Sequence, residues 1–272
     1  GNERALRVTE LIRRATERRD AWLRLAAKLD TLEKKAPAGF GTTLRPYQRH
    51  GYAWLEAASE EGFAPLLADD MGLGKTVQAL ALLQSRAAQE SGPSLVVAPP
   101  TTLENWRHET LAFAPALTPV LYHGPDRKRL LARAQAQGAP TEGEDDKTPA
   151  PTLFVTSYQT LLKDADALAE VTWNHVIFDE IQTIKNAKTK TYRAAKRLTG
   201  GHRLALSGTP VENTSLELYA VIDLLNPGLL GNRASFLRRL AGPIEREGDP
   251  EARRRLRELL TPIVLRRRKA DV

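Results

Sequence analysis

Residues 65–83 constrain the fold more than any other stretch. The apolar run Pro65-Leu66-Leu67-Ala68 leads into Asp69-Asp70-Met71-Gly72-Leu73-Gly74-Lys75-Thr76, then into Val77-Gln78-Ala79-Leu80-Ala81-Leu82-Leu83. Strand, glycine-rich loop, Lys-Thr and helix, in that order, are the parts of a phosphate-binding loop. Gly72 and Gly74 let backbone N–H groups curl round phosphate oxygens, and the helix N-terminus adds positive dipole character. In such a loop Lys75 reaches the β and γ phosphates and Thr76 offers its hydroxyl to Mg²⁺. The strict spacing GxxxxGK[ST] fails at its first position, where Asp69 stands for Gly. A chance Gly-Lys-Thr turn lacks the flanking strand and helix, so context selects the phosphate loop.

From about residue 44 to 225, short apolar runs alternate with helical stretches. Strands are expected at 64–68, 94–98, 118–122, 152–156, 174–179 and 203–207. Runs such as Leu95-Val96-Val97-Ala98 suit strands buried on both faces of a parallel sheet. Strand–helix alternation gives an α/β fold whose sites gather at the C-terminal strand ends. Residues 3–35 read as one helix or two, and Pro37, Gly39 and Gly41 then break the pattern. Residues 138–151, rich in Pro, Gly and acid, read as a loop or disordered insert. These boundaries divide the chain into an N-terminal helical segment (1–36), an α/β lobe (37–232) and a helical extension (233–272).

The strand Val176-Ile177-Phe178 ends in Asp179-Glu180. Alone, Asp179 reads equally as a helix N-cap. Downstream of a phosphate loop, two carboxylates at a buried strand end form the Mg²⁺ and water site of an ATPase. Asp179 then holds Mg²⁺, through water, and Glu180 orients and deprotonates the attacking water. A further strand, Arg203-Leu204-Ala205-Leu206, ends in Ser207-Gly208-Thr209-Pro210. By spacing alone this is an ordinary turn with Pro starting a helix; its hydroxyls also suit a sensor of the γ-phosphate.

Charge and composition narrow the classes. The 272 residues carry a net charge of +7, which suits a polyanion such as nucleic acid. Cys is absent, which excludes disulfides, thiolate metal sites and a cysteine nucleophile. No run approaches the roughly 20 apolar residues of a membrane span. The chain opens on Gly1-Asn2-Glu3 without Met and stops at Asp271-Val272, so a longer parent protein is expected.

These motifs together resemble the first RecA-like lobe of the Swi/Snf-type ATPases of helicase superfamily two, over about Leu44 to Val272. Leu44-Arg45-Pro46-Tyr47-Gln48 looks like the family's adenine-reading motif, which implies nucleotide contacts at Arg45 and Gln48. Asp70-Met71-Gly72-Leu73-Gly74-Lys75-Thr76 is similar to its phosphate loop, including the absent first Gly. Val97 to Leu103 with Asn105-Trp106, Asp179-Glu180 with Lys185-Asn186, and Ser207 to Pro210 with Glu212-Asn213 follow in order. Leu224 to Gly231 and Leu265-Arg266-Arg267-Arg268-Lys269 close the lobe.

The resemblance implies ATP and Mg²⁺ as cofactors and duplex DNA as partner. It places DNA contacts at Pro100, Thr101 and Thr102, at His123 and Gly124, and at Thr156, Ser157 and Tyr158. Thr156 and Ser157 equally read as helix caps, and Tyr158 and Trp106 equally as core. Gln182 stands where the family usually has His, as in its bacterial members, and Ser207 replaces the usual Thr. Gln182, Ser207, Gly208 and Thr209 are expected to couple the ATP and DNA sites. The basic run 266–268 reads either as a solvated linker or as a DNA contact. A second RecA-like lobe of the parent, carrying arginine fingers, is expected to complete the site, and a DNA-bound protein complex is a further expected partner. The implied activity is ATP-driven stepping along duplex DNA that moves or strips bound proteins. An RNA or strand-separating helicase and a nucleotide-gated scaffold with little turnover stay open as alternatives. The expected location is the cytoplasm, at the nucleoid in a bacterium, or the nucleus in a eukaryote, with no membrane association.

Overall fold

The computed structural model describes residues 2–89, 92–137, 152–208 and 214–272. Seven parallel strands form one sheet in the order β3-β4-β2-β5-β6-β1-β7. They are β1 (Leu66–Leu67), β2 (Ser94–Ala98), β3 (Thr118–Leu121), β4 (Thr152–Ser157), β5 (Thr172–Phe178), β6 (Thr199–Leu206) and β7 (Val264–Leu265). The helices are α1 (Asn2–Lys28), α2 (Pro46–Glu60), α3 (Lys75–Arg86), α4 (Leu103–Phe113), α5 (Arg127–Gln137), α6 (Tyr158–Lys163), α7 (Ala165–Ala169), α8 (Lys190–Arg197), α9 (Ser215–Leu225), α10 (Arg233–Phe236) and α11 (Pro250–Leu260).

Strand side chains alternate between two cores, as a period of two requires. Leu66, Leu95, Val97, Phe154, Val176, Phe178 and Ala205 face one core, filled by residues of α6, α7, α8 and α9. Leu67, Val96, Ala98, Val155, Ile177, Leu204 and Leu206 face the other, filled from α2, α3 and α4. Because both faces are covered, the strands read as near-continuous apolar runs. A third cluster joins Leu25 of α1 to Ala57 and Ala58 of α2, Ile222 of α9 and Phe236 of α10.

All six expected strands are present. β6 starts earlier than its sequence signal, because Thr199 and Gly200 pair with Thr172 and Trp173 although Gly200-Gly201 reads as a turn. β7 carries no sequence signal, being two residues long. The N-terminal helix ends at Lys28, followed by a tight turn to Thr31. Leu32 is already extended and packs its side chain inward.

A parallel sheet points every strand the same way, so the loops after β1, β2, β3, β4, β5, β6 and β7 emerge along one edge. The described candidate residues from Asp70 onward lie at or just beyond that edge.

Candidate nucleotide-binding site

The phosphate loop follows β1. Gly72 and Gly74 have φ of 86° and 75°, left-handed values that glycine adopts freely. A side chain at Gly74 would also put its Cβ 2.5 Å from Gln48 Nε2. Gln48 anchors α2 to this loop. Its Oε1 accepts from Arg45 N at 2.9 Å, and its Nε2 donates to Leu73 O at 3.3 Å. Arg45, Pro46, Tyr47, Gly72, Leu73, Lys269 and Val272 line a cavity of about 420 Å³ between α2 and the loop. That volume lies within the roughly 300–1,000 Å³ of small-molecule sites.

Lys75 is buried, and its Nζ donates to the carbonyls of Asp69 at 2.8 Å and Asp70 at 3.3 Å. Burial lowers the ammonium pKa, and the charges of Glu180, Asp69, Asp179 and Asp70 oppose that shift. The acidic pair and the loop lysine therefore share one field. Thr76 is half-exposed at the helix start, and Met71 is 66% exposed on the loop surface.

Asp179 ends β5 almost buried. Its Oδ2 accepts from Trp106 Nε1 at 2.9 Å and its Oδ1 from Glu180 N at 3.0 Å. Burial raises its carboxyl pKa; the Trp106 hydrogen bond holds it back, and the Glu180 charge adds to the rise. Tyr158 Oη donates to the Asp179 carbonyl at 2.7 Å. Glu180 has φ 48°, the one non-glycine residue with positive φ among the described residues. That conformation costs about 1–3 kcal/mol and persists only where neighbours impose it. Here Glu180 Oε2 accepts from Gln182 Nε2 and from Gly208 N at 3.2 Å. Ser207 Oγ in turn donates to Gln182 Oε1 at 2.8 Å. A continuous hydrogen-bonded chain thus runs from the end of β6 to the Glu180 carboxylate.

Among the described residues, no group of three or more His, Asp or Glu side chains is arranged to hold a metal. Mg²⁺ takes one or two carboxylates and completes its shell with waters and substrate phosphates. Each Asp179 oxygen accepts one hydrogen bond here and keeps a lone pair in reserve. The residues present therefore fit a Mg²⁺ carried in with a nucleotide.

Residues 47–272 match the family described as the SNF2-related domain. The chain belongs to the SNF2-related family. It is 40% identical over 250 residues to the "Putative ATP-dependent helicase/translocase YwqA" of Bacillus subtilis, covering 91% of this chain and 26% of that protein. It is 35% identical over 264 residues to "TATA-binding protein-associated factor 172" of Homo sapiens, covering 88% of this chain and 14% of that one. The solved "Sulfolobus solfataricus SWI2/SNF2 ATPase core in complex with dsDNA" superposes with a TM-score of 0.75 at 37% identity, covering 88% of this chain and 47% of that chain. The chain thus spans about a quarter of its bacterial relative and less of the human one.

The SNF2-related domain gathers the other expected residues unevenly. The loops after β2, β3 and β4 carry Pro100 to Thr102, His123 with Gly124, and Ser157 with Tyr158, and these strands are neighbours in the sheet. Pro100, Thr101 and His123 are exposed, and Thr102 Oγ1 donates to Pro99 O at 3.0 Å. The side chains of Thr156, Ser157 and Tyr158 are buried, so they do not form the surface expected of them. Thr156 Oγ1 donates to Tyr122 O, Ser157 Oγ accepts from Thr160 N to cap α6, and Tyr158 reaches Asp179. Only their backbone is left to meet a ligand. Thr209, Pro210, Glu212 and Asn213 lie outside the described residues, as does the 138–151 insert.

Three residues of the SNF2-related site take contacts that the sequence reading did not give them. Trp106, read as core or as a DNA contact, is buried and bonds Asp179, and Gln78 carries only helical, core-like spacing. Arg267 sits in a basic run, which hides the one arginine that turns inward. It is neither a solvated linker residue nor exposed, for its guanidinium grips Asp69.

Proposed function

We propose that this chain is the ATP-binding lobe of a DNA-dependent ATPase that translocates on duplex DNA and displaces bound proteins. The observation that carries this reading is the placement of Lys75 on the loop after β1 and of Asp179-Glu180 at the same edge after β5, with Glu180 wired through Gln182 to Ser207. A lysine on a phosphate loop, a buried strand-end carboxylate and a base-competent glutamate are the groups phosphoryl transfer to water needs.

The adenine would lie in the cavity lined by Arg45 and Tyr47, beside the Gln48 that ties α2 to the loop, and the phosphates over the N–H groups of Gly72 to Thr76. Lys75 exchanges its loop carbonyls for β and γ phosphate oxygens. Thr76 and Asp179 would hold Mg²⁺, which would neutralise charge on the phosphates. Glu180 aligns a water with the γ-phosphorus and takes its proton as the new P–O bond forms and the bond to ADP breaks. The loss of γ-phosphate then reaches Gln182, which hydrogen-bonds Glu180, and through it Ser207, which hydrogen-bonds Gln182. Exposed Pro100, Thr101 and His123, with the backbone at 156–158, track a DNA strand without reading sequence. The SNF2 core solved with duplex DNA supports that partner. A second lobe of the same parent closes the site.

The test is ATP turnover by the full-length protein with no nucleic acid, duplex DNA, single-stranded DNA or RNA. Strongest stimulation by duplex DNA is expected. Stimulation by RNA or single strands alone would point to a helicase, and tight ATP binding without turnover to a scaffold.

A further inference from the structure

The phosphate loop of this chain is held from outside by residues that follow the last strand. β7 pairs with β1, and the pairing does not stop where the strands end. Ala68 N donates to Leu265 O at 2.7 Å and Asp70 N to Arg267 O at 3.0 Å. Arg267 N and Lys269 N donate back, to Asp69 Oδ1 at 3.1 Å and Asp70 Oδ2 at 3.1 Å. Both carboxylates at the head of the loop are thus engaged by backbone amides 266–269.

The Arg267 side chain completes the grip. Its Nε donates to Asp69 Oδ1 at 3.0 Å, and its Nη2 donates to Asp69 Oδ2 and to Gln78 Oε1 at 2.8 Å. Its Nη1 donates to Tyr47 O, and the guanidinium carbon lies 5.4 Å from the Tyr47 ring centre. Asp69 is fully buried, and the Arg267 side chain is 12% exposed. Gly51 makes room, since a Cβ there would come 2.8 Å from Arg267 Nη2. The same turn brings Lys269 Nζ to 3.6 Å from where a Cβ on Gly72 would stand, at the mouth of the cavity.

Asp69 occupies the position where the strict phosphate-loop pattern has glycine, and its carbonyl is the main acceptor of Lys75. One residue therefore holds the catalytic lysine by its backbone and Arg267 by its side chain. A bidentate guanidinium–carboxylate pair fixes geometry as well as charge.

We propose that Arg267 is a positioning residue for the phosphate loop, and that residues 266–269 report nucleotide occupancy to the chain that follows. When Lys75 leaves the Asp69 carbonyl for the phosphates, the loop head shifts its hold on Arg267 and Lys269. Coupling of this kind is reciprocal, so ATP must tighten or loosen the 266–269 amides as much as Arg267 alters ATP affinity.

The inference rests on the nucleotide site proposed above. Its test is amide hydrogen exchange of peptides covering 264–272 in the full-length protein, with and without saturating Mg-ATP, alongside calorimetric ATP titration. Changed exchange at 266–269 is expected on ATP binding. Arg267→Lys, which keeps the charge and loses the fork, should stay folded, bind ATP about tenfold more weakly and lose that exchange response. Asp69→Asn should act in the same direction. Wild-type protein that binds ATP with unaltered exchange at 266–269 overturns the inference while leaving the nucleotide site standing. Parental affinity and response in a folded Arg267→Lys protein overturn it equally. Absence of ATP binding by the wild type overturns both readings. If Arg267→Lys fails to fold, the wild-type exchange measurement decides.

Discussion

The indole N–H of Trp106, on α4, donates to Oδ2 of Asp179, at the end of β5, across 73 residues of sequence and at 2.9 Å. α4 begins directly after Pro100 to Thr102, so a single side chain spans from that exposed turn to the carboxylate assigned to Mg²⁺. Asp179 is thus aimed by a side chain that is itself buried.

Trp106→Phe keeps most of the ring in its pocket and removes only the donor. A hydrogen bond to a charged group contributes about 1.5–3 kcal/mol, so the Mg²⁺ concentration for half-maximal ATP turnover should rise about tenfold or more. The ATP titration without Mg²⁺ should be unchanged. A Mg²⁺ dependence equal to the parent's would show that the contact is packing alone.

Lys75→Ala should abolish tight ATP binding and leave the fold intact. The ammonium is buried and, among the described residues, donates to loop carbonyls rather than to a carboxylate, so its loss removes a desolvated charge rather than a contact ion pair. Each lost phosphate contact is expected to cost about 1.5–3 kcal/mol of binding. Calorimetric titration and a thermal melt of the same sample read both halves of the expectation.

Glu180→Gln in the full-length protein should bind ATP and lose turnover by about 10²–10⁴-fold, because an amide orients water but takes no proton. Gln182→Ala should give a smaller loss, since Glu180 keeps the Gly208 N–H but loses its other donor. Steady-state phosphate release orders the three proteins. Equal rates in all of them would remove Glu180 from the chemistry.

Acid should unfold an Arg127→Ala variant earlier than the parent. Asp164 is buried, and hydrogen bonding to Arg127 is the main cause of its lowered pKa. A depressed carboxylate contributes stability above its unfolded pKa, and that stability is lost as pH falls through the folded value. Without Arg127 the largest lowering cause is gone while Tyr122 and Lys128 remain, so the folded pKa rises and the loss moves to higher pH. Circular dichroism against pH would show the midpoint shift upward. Arg127 Nη1 also donates to Gly124 O, so duplex DNA affinity should fall in the same variant near neutral pH.

The 272-residue chain alone should bind ATP weakly and turn it over hardly at all, with or without DNA. Among the described residues no arginine is assigned as a finger onto the γ-phosphate, and such a residue is worth roughly 10³–10⁵ in rate. Half a DNA groove makes fewer phosphate contacts, so duplex binding should appear at low salt and vanish near physiological salt, with a shallower slope than the parent's. Parental, DNA-stimulated turnover by this chain would contradict the split-site mechanism.

The sheet and the phosphate loop were legible because their signals are local. Apolar runs of strand length, and glycines abutting Lys75 and Thr76, announce themselves within a few residues. β7 was not legible: β1 is as short, but the glycine-rich loop after it frames it, and no such signal frames Val264-Leu265. The partners of Asp69 and Asp179 were not legible either. Arg267 differs in no local respect from Arg266 and Arg268, and only the register of β7 against β1 turns it inward. The burial of Thr156 and Ser157 was half legible, because capping was one of their two readings and Ser157 does cap α6.

The pairing of β1 with β7 also bears on how this chain comes off the ribosome. Asp69 and Arg267 are 198 residues apart. At the usual roughly 5–20 residues per second of synthesis, the head of the phosphate loop waits about 10–40 s for its partner. During that interval β1 has an open edge and Asp69 lacks its Arg267 partner, while the strands between them have already emerged. The nucleotide site is thus among the last parts of the domain to be sealed. A pause or truncation before Leu265 should leave a chain with most of its sheet formed and its phosphate loop exposed to chaperones.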